Sequence, residues 1–169
     1  TYICKKDTPA ENEAAFVELM NAEVARMGLQ NTHFDNPVGY DSENNYSTAS
    51  DMAAIMMRAL QCDLIRDILS TPARDFSAFG YNSKGEFVES YNAHFYSTLF
   101  NVNKTSRIYA YEAKYGTFKL SSLTLGGGKT GTLGSGSNYI YSLVSYAKSA
   151  DQSKTYICVT GETTVGADV

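Results

Sequence analysis

A lysine and two threonines stand among glycines in GGGKTGT, the opening of the run GGGKTGTLGSGSN at residues 126–138. A cation and hydroxyls on nearly bare backbone suit an anion, and two anions are worth testing. A phosphate-binding loop needs Gly-x-x-x-x-Gly-Lys-Ser/Thr between a strand and a helix, so that helix amides cradle the charge. Gly128, Lys129 and Thr130 supply the end of that pattern, but its leading glycine falls on Leu123, and the text that follows reads as strand. A nucleotide is therefore excluded. A carboxylate fits better. On a sheet edge, the Lys129 ammonium and Thr130 hydroxyl can grip the C-terminal carboxylate of a peptide lying antiparallel to the strand. Gly131 lets that peptide approach with no Cβ in the way, and the Thr132 N–H can face a developing oxyanion. A glycine-rich turn carrying a solvated lysine is the plainer alternative, and residue pattern alone leaves it open.

Other chemistries find less support. Cys4, Cys62 and Cys158 are far apart and none belongs to a Cys-x-x-Cys pair, so no zinc site is expected, and buried free thiols are. His33 and His94 are isolated and are read as structural hydrogen-bonding residues. The net charge of −4, with basic residues scattered, argues against nucleic acid as a partner. With 43% apolar and 19% charged residues in 169, the chain is globular in composition and long enough for one domain with a core. No apolar run reaches the roughly 18 residues that span a bilayer. The opening TYICKKDTP lacks the apolar stretch of a signal peptide, so any export signal or membrane tether is expected outside these residues.

The elements that position Lys129 can be drawn from periodicity and caps. Thr8-Pro9-Ala10-Glu11 is a helix start, with Phe16, Leu19, Met20, Val24 and Met27 at helical spacing and Gly28 as the stop. Residues 31–47, NTHFDNPVGYDSENNYS, form an ordered loop. Ser47 or Thr48 then caps a second helix carrying Met52, Ile55, Met56, Ala59 and Leu60. Asp63–Leu69 makes a short third helix, ended by Pro72, with Ile65, Ile68 and Leu69 facing inward. RDFSAF and EFVESY alternate around a YNSKG turn at 81–85, a hairpin pattern. Residues 95–125 offer only short strands and loops. NYIYSLVSYA (138–147), SADQS (149–153) and TYICVTG (155–161) read as strand, turn and strand. Helices first and a largely antiparallel sheet afterwards give a mixed α+β domain.

Lys129-Thr130-Gly131 matches the third signature of the penicillin-recognising serine enzymes. Upstream, FVELMN (16–21), THFDNPVGYD (32–41) and STASDMA (47–53) follow in the order found in one branch. On these four motifs the chain resembles the D-alanyl-D-alanine carboxypeptidases among the low-mass penicillin-binding proteins. The resemblance implies a partial β-lactamase/transpeptidase-like fold, with residues 1–169 as the C-terminal part of a single catalytic domain. It implies a bacterial cell-envelope location and no metal or organic cofactor. The implied partners are a peptidoglycan stem peptide or a β-lactam, held by Lys129, Thr130, Gly131 and the Thr132 N–H.

The pattern departs from the family in one respect. Ser-x-x-Lys, the nucleophile and its activating lysine, and Ser-x-Asn should both precede FVELMN, and neither does. Ser145-Tyr146-Ala147-Lys148 fits the first by letter but sits in a strand pattern, where residues three apart point to opposite faces. Ser42-Glu43-Asn44 and Ser90-Tyr91-Asn92 fit the second only by letter and follow the Met-Asn helix. The expectation is that the catalytic serine lies outside this chain and that the chain alone is inactive. Missing strands would leave sheet edges open to self-association. A class A β-lactamase is the enzyme alternative, but Glu43 is followed four residues on by Ser47 where that family needs asparagine. A catalytically dead module that binds wall peptides is the other alternative.

Overall fold

The computed structural model describes residues 4–82, 84–100, 123–135 and 138–163. They are α+β, with helices first and antiparallel strands after, and they fall into two compact units, residues 1–56 and 57–169.

In the first unit, α1 (Pro9–Arg26) starts on a complete capping box. Thr8 Oγ1 accepts from Glu11 N at 3.2 Å, and Thr8 N donates to the Glu11 carboxylate at 3.0 Å. Two of the helix's otherwise unpaired donors are thereby satisfied. Gly28, at φ +73°, takes the left-handed conformation that ends the helix. The apolar stripe is buried only at Val24, whereas Phe16 and Leu19 remain exposed.

The following loop is held by side chains bonding to backbone. Asn21 of α1 clamps Phe34 twice, accepting from its N–H at 2.9 Å and donating to its carbonyl at 2.6 Å. Asn36 Oδ1 accepts from the N–H groups of Gly39 and Tyr40 at 2.7 and 2.9 Å, folding Asn36-Pro37-Val38-Gly39 into a closed turn with Gly39 at φ +80°. His33 and Tyr46 form an antiparallel bridge, and His33 Nδ1 meets the Asn44 carbonyl at 2.6 Å, the structural use expected of this histidine.

Helix α2 (Ala49–Ala59) begins where Thr48 Oγ1 accepts from Asp51 N at 3.1 Å, so Thr48 is the cap. The Asp51 side chain is buried and accepts from Thr32 Oγ1 at 2.7 Å and Asn31 N at 3.2 Å. A buried carboxylate survives only with such partners.

In the second unit, α3 (Asp63–Ser70) leads into a hairpin of β1 (Ala73–Tyr81) and β2 (Phe87–Tyr96). Asn82 Oδ1 holds the turn by accepting from Lys84 N at 2.9 Å and Glu86 N at 3.0 Å, and Gly85 supplies a φ of +77°. His94 pairs with Asp75 directly across the ladder and meets the Tyr96 ring. A three-stranded antiparallel sheet follows in the order β3 (Leu123–Ser135), β4 (Asn138–Ser149), β5 (Thr155–Thr163). Its buried centre is Leu143, Ser145 and Tyr146 of β4. Within the range 95–125, residues 101–122 lie outside the described ones.

Two expectations are corrected. Ile65 and Ile68 do not face inward: they are exposed, and only Leu69 is half-buried. The eight-residue α3 meets β3 with its C-terminal end, where the Leu69 carbonyl abuts Gly127, rather than along its apolar side. The thiols are free but not buried, since Cys62 and Cys158 are exposed and Cys4 is half-exposed. Cys62 occupies the cap position of α3, and Cys158 lies on the end strand β5.

Candidate functional site

GGGKTGT is strand, not turn: all seven residues lie in β3, the end strand of its sheet among the described residues. Each of the first three glycines has a packing reason. A Cβ on Gly126 would enter the ring of buried Tyr146, one on Gly127 would strike the Leu69 carbonyl, and one on Gly128 would strike the Val144 carbonyl across the ladder. Gly126 is also the extra residue of a β-bulge, because Leu125 pairs with Ala147 and Gly127 with Tyr146. Bulges bend a strand and re-aim the side chains beyond them.

Beyond the bulge the register is regular. Lys129 and Gly131 pair with Val144 and Ser142 on one face, while Thr130 and Thr132 pair with Leu143 and Tyr141 on the other. Neighbours on a strand point to opposite faces, so Lys129 and Thr130 can share a ligand only at the strand's edge. The Lys129 side chain is exposed and turns along the strand, its Nζ donating to the Thr130 carbonyl. The cation is thus held at the backbone of the residue that carries the hydroxyl. Gly131 is half-buried, and a Cβ there would meet the Ser142 hydroxyl. Thr132 is exposed.

Residue pattern did not single out Thr98 or Ser142. The Thr98 hydroxyl is hydrogen-bonded to the Thr130 hydroxyl, 32 residues away. Ser142 covers Gly131 from the neighbouring strand. Neither carries a local signal, because each is brought to Lys129-Thr130-Gly131 only by pairing of distant segments.

The letter-matches to the missing motifs have structural uses. Ser145 is buried on β4 and Lys148 lies on its other face. Ser42 bonds to the Asp35 carboxylate and accepts from Asn44 N at 3.2 Å within the loop. Ser90 lies in β2. Among the described residues, no three His, Cys, Asp or Glu side chains gather where a metal could be held. No described helix is long and apolar enough to cross a membrane.

Comparison with known proteins adds a second line. The sequence profile of the D-alanyl-D-alanine carboxypeptidase family matches residues 7–92. The D-alanyl-D-alanine carboxypeptidase DacA of Escherichia coli is 42% identical over 66 residues, 39% of this chain and 15% of that protein. The fold is similar to that of a mutant of the Streptomyces K15 DD-transpeptidase, with a TM-score of 0.68 and 25% identity, over 97% of this chain and 53% of that one. A D-alanyl-D-alanine carboxypeptidase from Mycobacterium tuberculosis shares the fold alone, at a TM-score of 0.51 and 18% identity, over 90% of this chain and 51% of that one. The chain therefore spans about half the length of the solved structures it matches. The family match ends before Lys129, whereas the first structural likeness covers nearly all of the chain.

Proposed function

The chain belongs to the D-alanyl-D-alanine carboxypeptidase family, and from that premise we propose that β3 anchors the terminal carboxylate of a peptidoglycan stem peptide. The observation that carries this reading is the placement of Lys129-Thr130-Gly131 on an end strand among the described residues, with the ammonium at the Thr130 carbonyl and the Thr130 hydroxyl on the same residue. A peptide adding to such an edge gains main-chain hydrogen bonds. Its carboxylate gains a charge-assisted bond from Lys129, stronger than a neutral one, and a hydroxyl donor from Thr130.

The reaction served is acyl transfer. A serine oxygen attacks the carbonyl of the penultimate D-alanine, the Thr132 N–H stabilises the oxyanion, and the C–N bond breaks to release D-alanine. Water then hydrolyses the ester and regenerates the serine. A β-lactam acylates the same serine. That serine and its lysine are not in the family's order within these 169 residues, so this chain supplies the anchor and not the nucleophile. Residues 1–169 form part of one transpeptidase-like domain that works in the bacterial cell envelope.

Two measurements test this. Incubation with a fluorescent penicillin should leave no covalent band after denaturation, and a band would place a competent serine in the chain. Titration with diacetyl-Lys-D-Ala-D-Ala should show reversible binding that is clearly weaker for its C-terminal amide. Equal binding of acid and amide would overturn the anchor.

A further inference from the structure

Thr130 has one hydroxyl proton, and a carboxylate only accepts. The hydroxyl therefore serves an anion only when its proton points outward. In this structure the Thr130 hydroxyl already has a partner, the hydroxyl of Thr98. Two hydroxyls in contact can be arranged in two ways. If Thr130 donates to Thr98, nothing remains for the ligand. If Thr98 donates to Thr130, the Thr130 proton is released outward and its oxygen is polarised by the incoming bond, which strengthens its own donation.

Thr98 is well placed to impose the second arrangement. It lies two residues beyond β2, and the chain is pinned just before it, where Ser97 N donates to the Pro72 carbonyl at 2.8 Å across the open end of the hairpin. At the start of the same segment, α3 abuts β3 at Gly127 through the Leu69 carbonyl. Thr98 is thus carried on backbone that is fixed at the open end of the hairpin. Thr130 is β-branched, with few χ1 choices, so one partner suffices to hold its rotamer.

We propose that Thr98 is a positioning residue for the anchor: it orients the Thr130 hydroxyl and turns its proton toward the ligand carboxylate. This rests on the reading of β3 as a carboxylate anchor. When an anion arrives, the order of donation runs from Thr98 to Thr130 to carboxylate. Thr98 acts only through the Thr130 hydroxyl, so its contribution is largest for a ligand that offers that hydroxyl a charged acceptor.

The test uses the full chain and two probes, diacetyl-Lys-D-Ala-D-Ala and its C-terminal amide. Affinities come from calorimetry, and the Thr130 χ1 distribution of the ligand-free protein from NMR three-bond couplings. Thr98→Val, which keeps the shape and removes the hydroxyl, should broaden the Thr130 χ1 distribution. It should also weaken the acid by about fivefold and the amide, a neutral acceptor, by much less. Thr98→Ser should restore both. Equal weakening of acid and amide would reduce Thr98 to a strut for the hairpin and overturn the proposal. So would an unchanged acid affinity in Thr98→Val while Lys129→Ala abolishes the preference for acid, an outcome that leaves the anchor standing. If the unmutated chain does not prefer the acid and Lys129→Ala changes nothing, the anchor itself fails and Thr98 has nothing to position.

Discussion

The two units use their family motifs in opposite ways. In residues 1–56, the motif residues point inward and act on the fold: Asn21 clamps Phe34, Asn36 closes its own turn, and Asp51 is buried against Thr32 and Asn31. In residues 57–169, the glycines take up close packing, and the charged group beyond them is left exposed on an end strand. The first set resembles the family because a particular loop must be built. In the function proposed above, the second resembles it because a particular ligand must be met. Recognition of the family rests mostly on the scaffold, and the profile match at residues 7–92 falls on that side.

The sharpest test of the second unit compares two glycines of β3 that flank Lys129, one packed against the fold and one facing the proposed ligand. Gly127→Ala should destabilise the chain by about 3 kcal/mol, because its Cβ meets the Leu69 backbone and neither strand nor helix can yield cheaply. Gly131→Ala meets only the Ser142 side-chain oxygen, which can rotate away, and should cost well under 1 kcal/mol while still weakening peptide binding. Chemical denaturation measures both, and similar stabilities for the two variants would refute the distinction. Next in size, Asp51→Ala strands the Asn31 N–H and leaves the Thr32 hydroxyl with Ser47 alone, and should cost about 2 kcal/mol in the same experiment. Unchanged stability there, with ligand binding lost, would reverse the roles assigned to the two units.

Lys129→Ala tests the other side. Its side chain is exposed, so unfolding should shift by no more than about 0.5 kcal/mol. Affinity for the acid-terminated peptide should fall about tenfold or more, as expected for a lost charge-assisted bond. The smallest effect lies in the β4–β5 turn, away from both motifs. The Asp151 carboxyl is lowered to about 2 from 3.8, first by the hydroxyl of Ser149, then by the hydroxyl and N–H of Ser153. A depressed carboxyl stabilises the fold above its unfolded value of 3.8, and that contribution disappears as pH falls through about 2. An NMR titration should give an Asp151 midpoint near 2, and Ser149→Ala should move it toward 3.8.

Much of this architecture was legible because its causes are local. Thr8 with Glu11 and Thr48 with Asp51 announce helix starts within four residues. The YNSKG turn marks the hairpin, and alternation marks β4 and β5. What escaped notice depends on distant partners. Asp51 reads only as the acidic residue after the Ser47 or Thr48 cap, and its meeting with Thr32 makes it a buried anchor. The apolar residues of α3 read as core, yet Ile68 lies open. At the site, Lys129, Thr130, Gly131 and Thr132 could be named from type and order, but Thr98 could not, because its neighbourhood has no period and its partner lies on another strand. The packing roles of Gly126, Gly127 and Gly128 emerge only with Tyr146, Leu69 and Val144 in place.

The bulge at Gly126 makes β3 sensitive to counting. Its single unpaired residue decides which side of the sheet Leu123 and Leu125 occupy relative to Lys129. Losing one glycine would make the ladder continuous, whereas filling the gap by sliding the upstream half would exchange odd for even positions. A one-residue insertion between Leu125 and Lys129, which can be absorbed only by exchanging faces, should therefore be far more harmful than deletion of Gly126, which removes the bulge. A library of length variants across those five positions would reveal that parity directly.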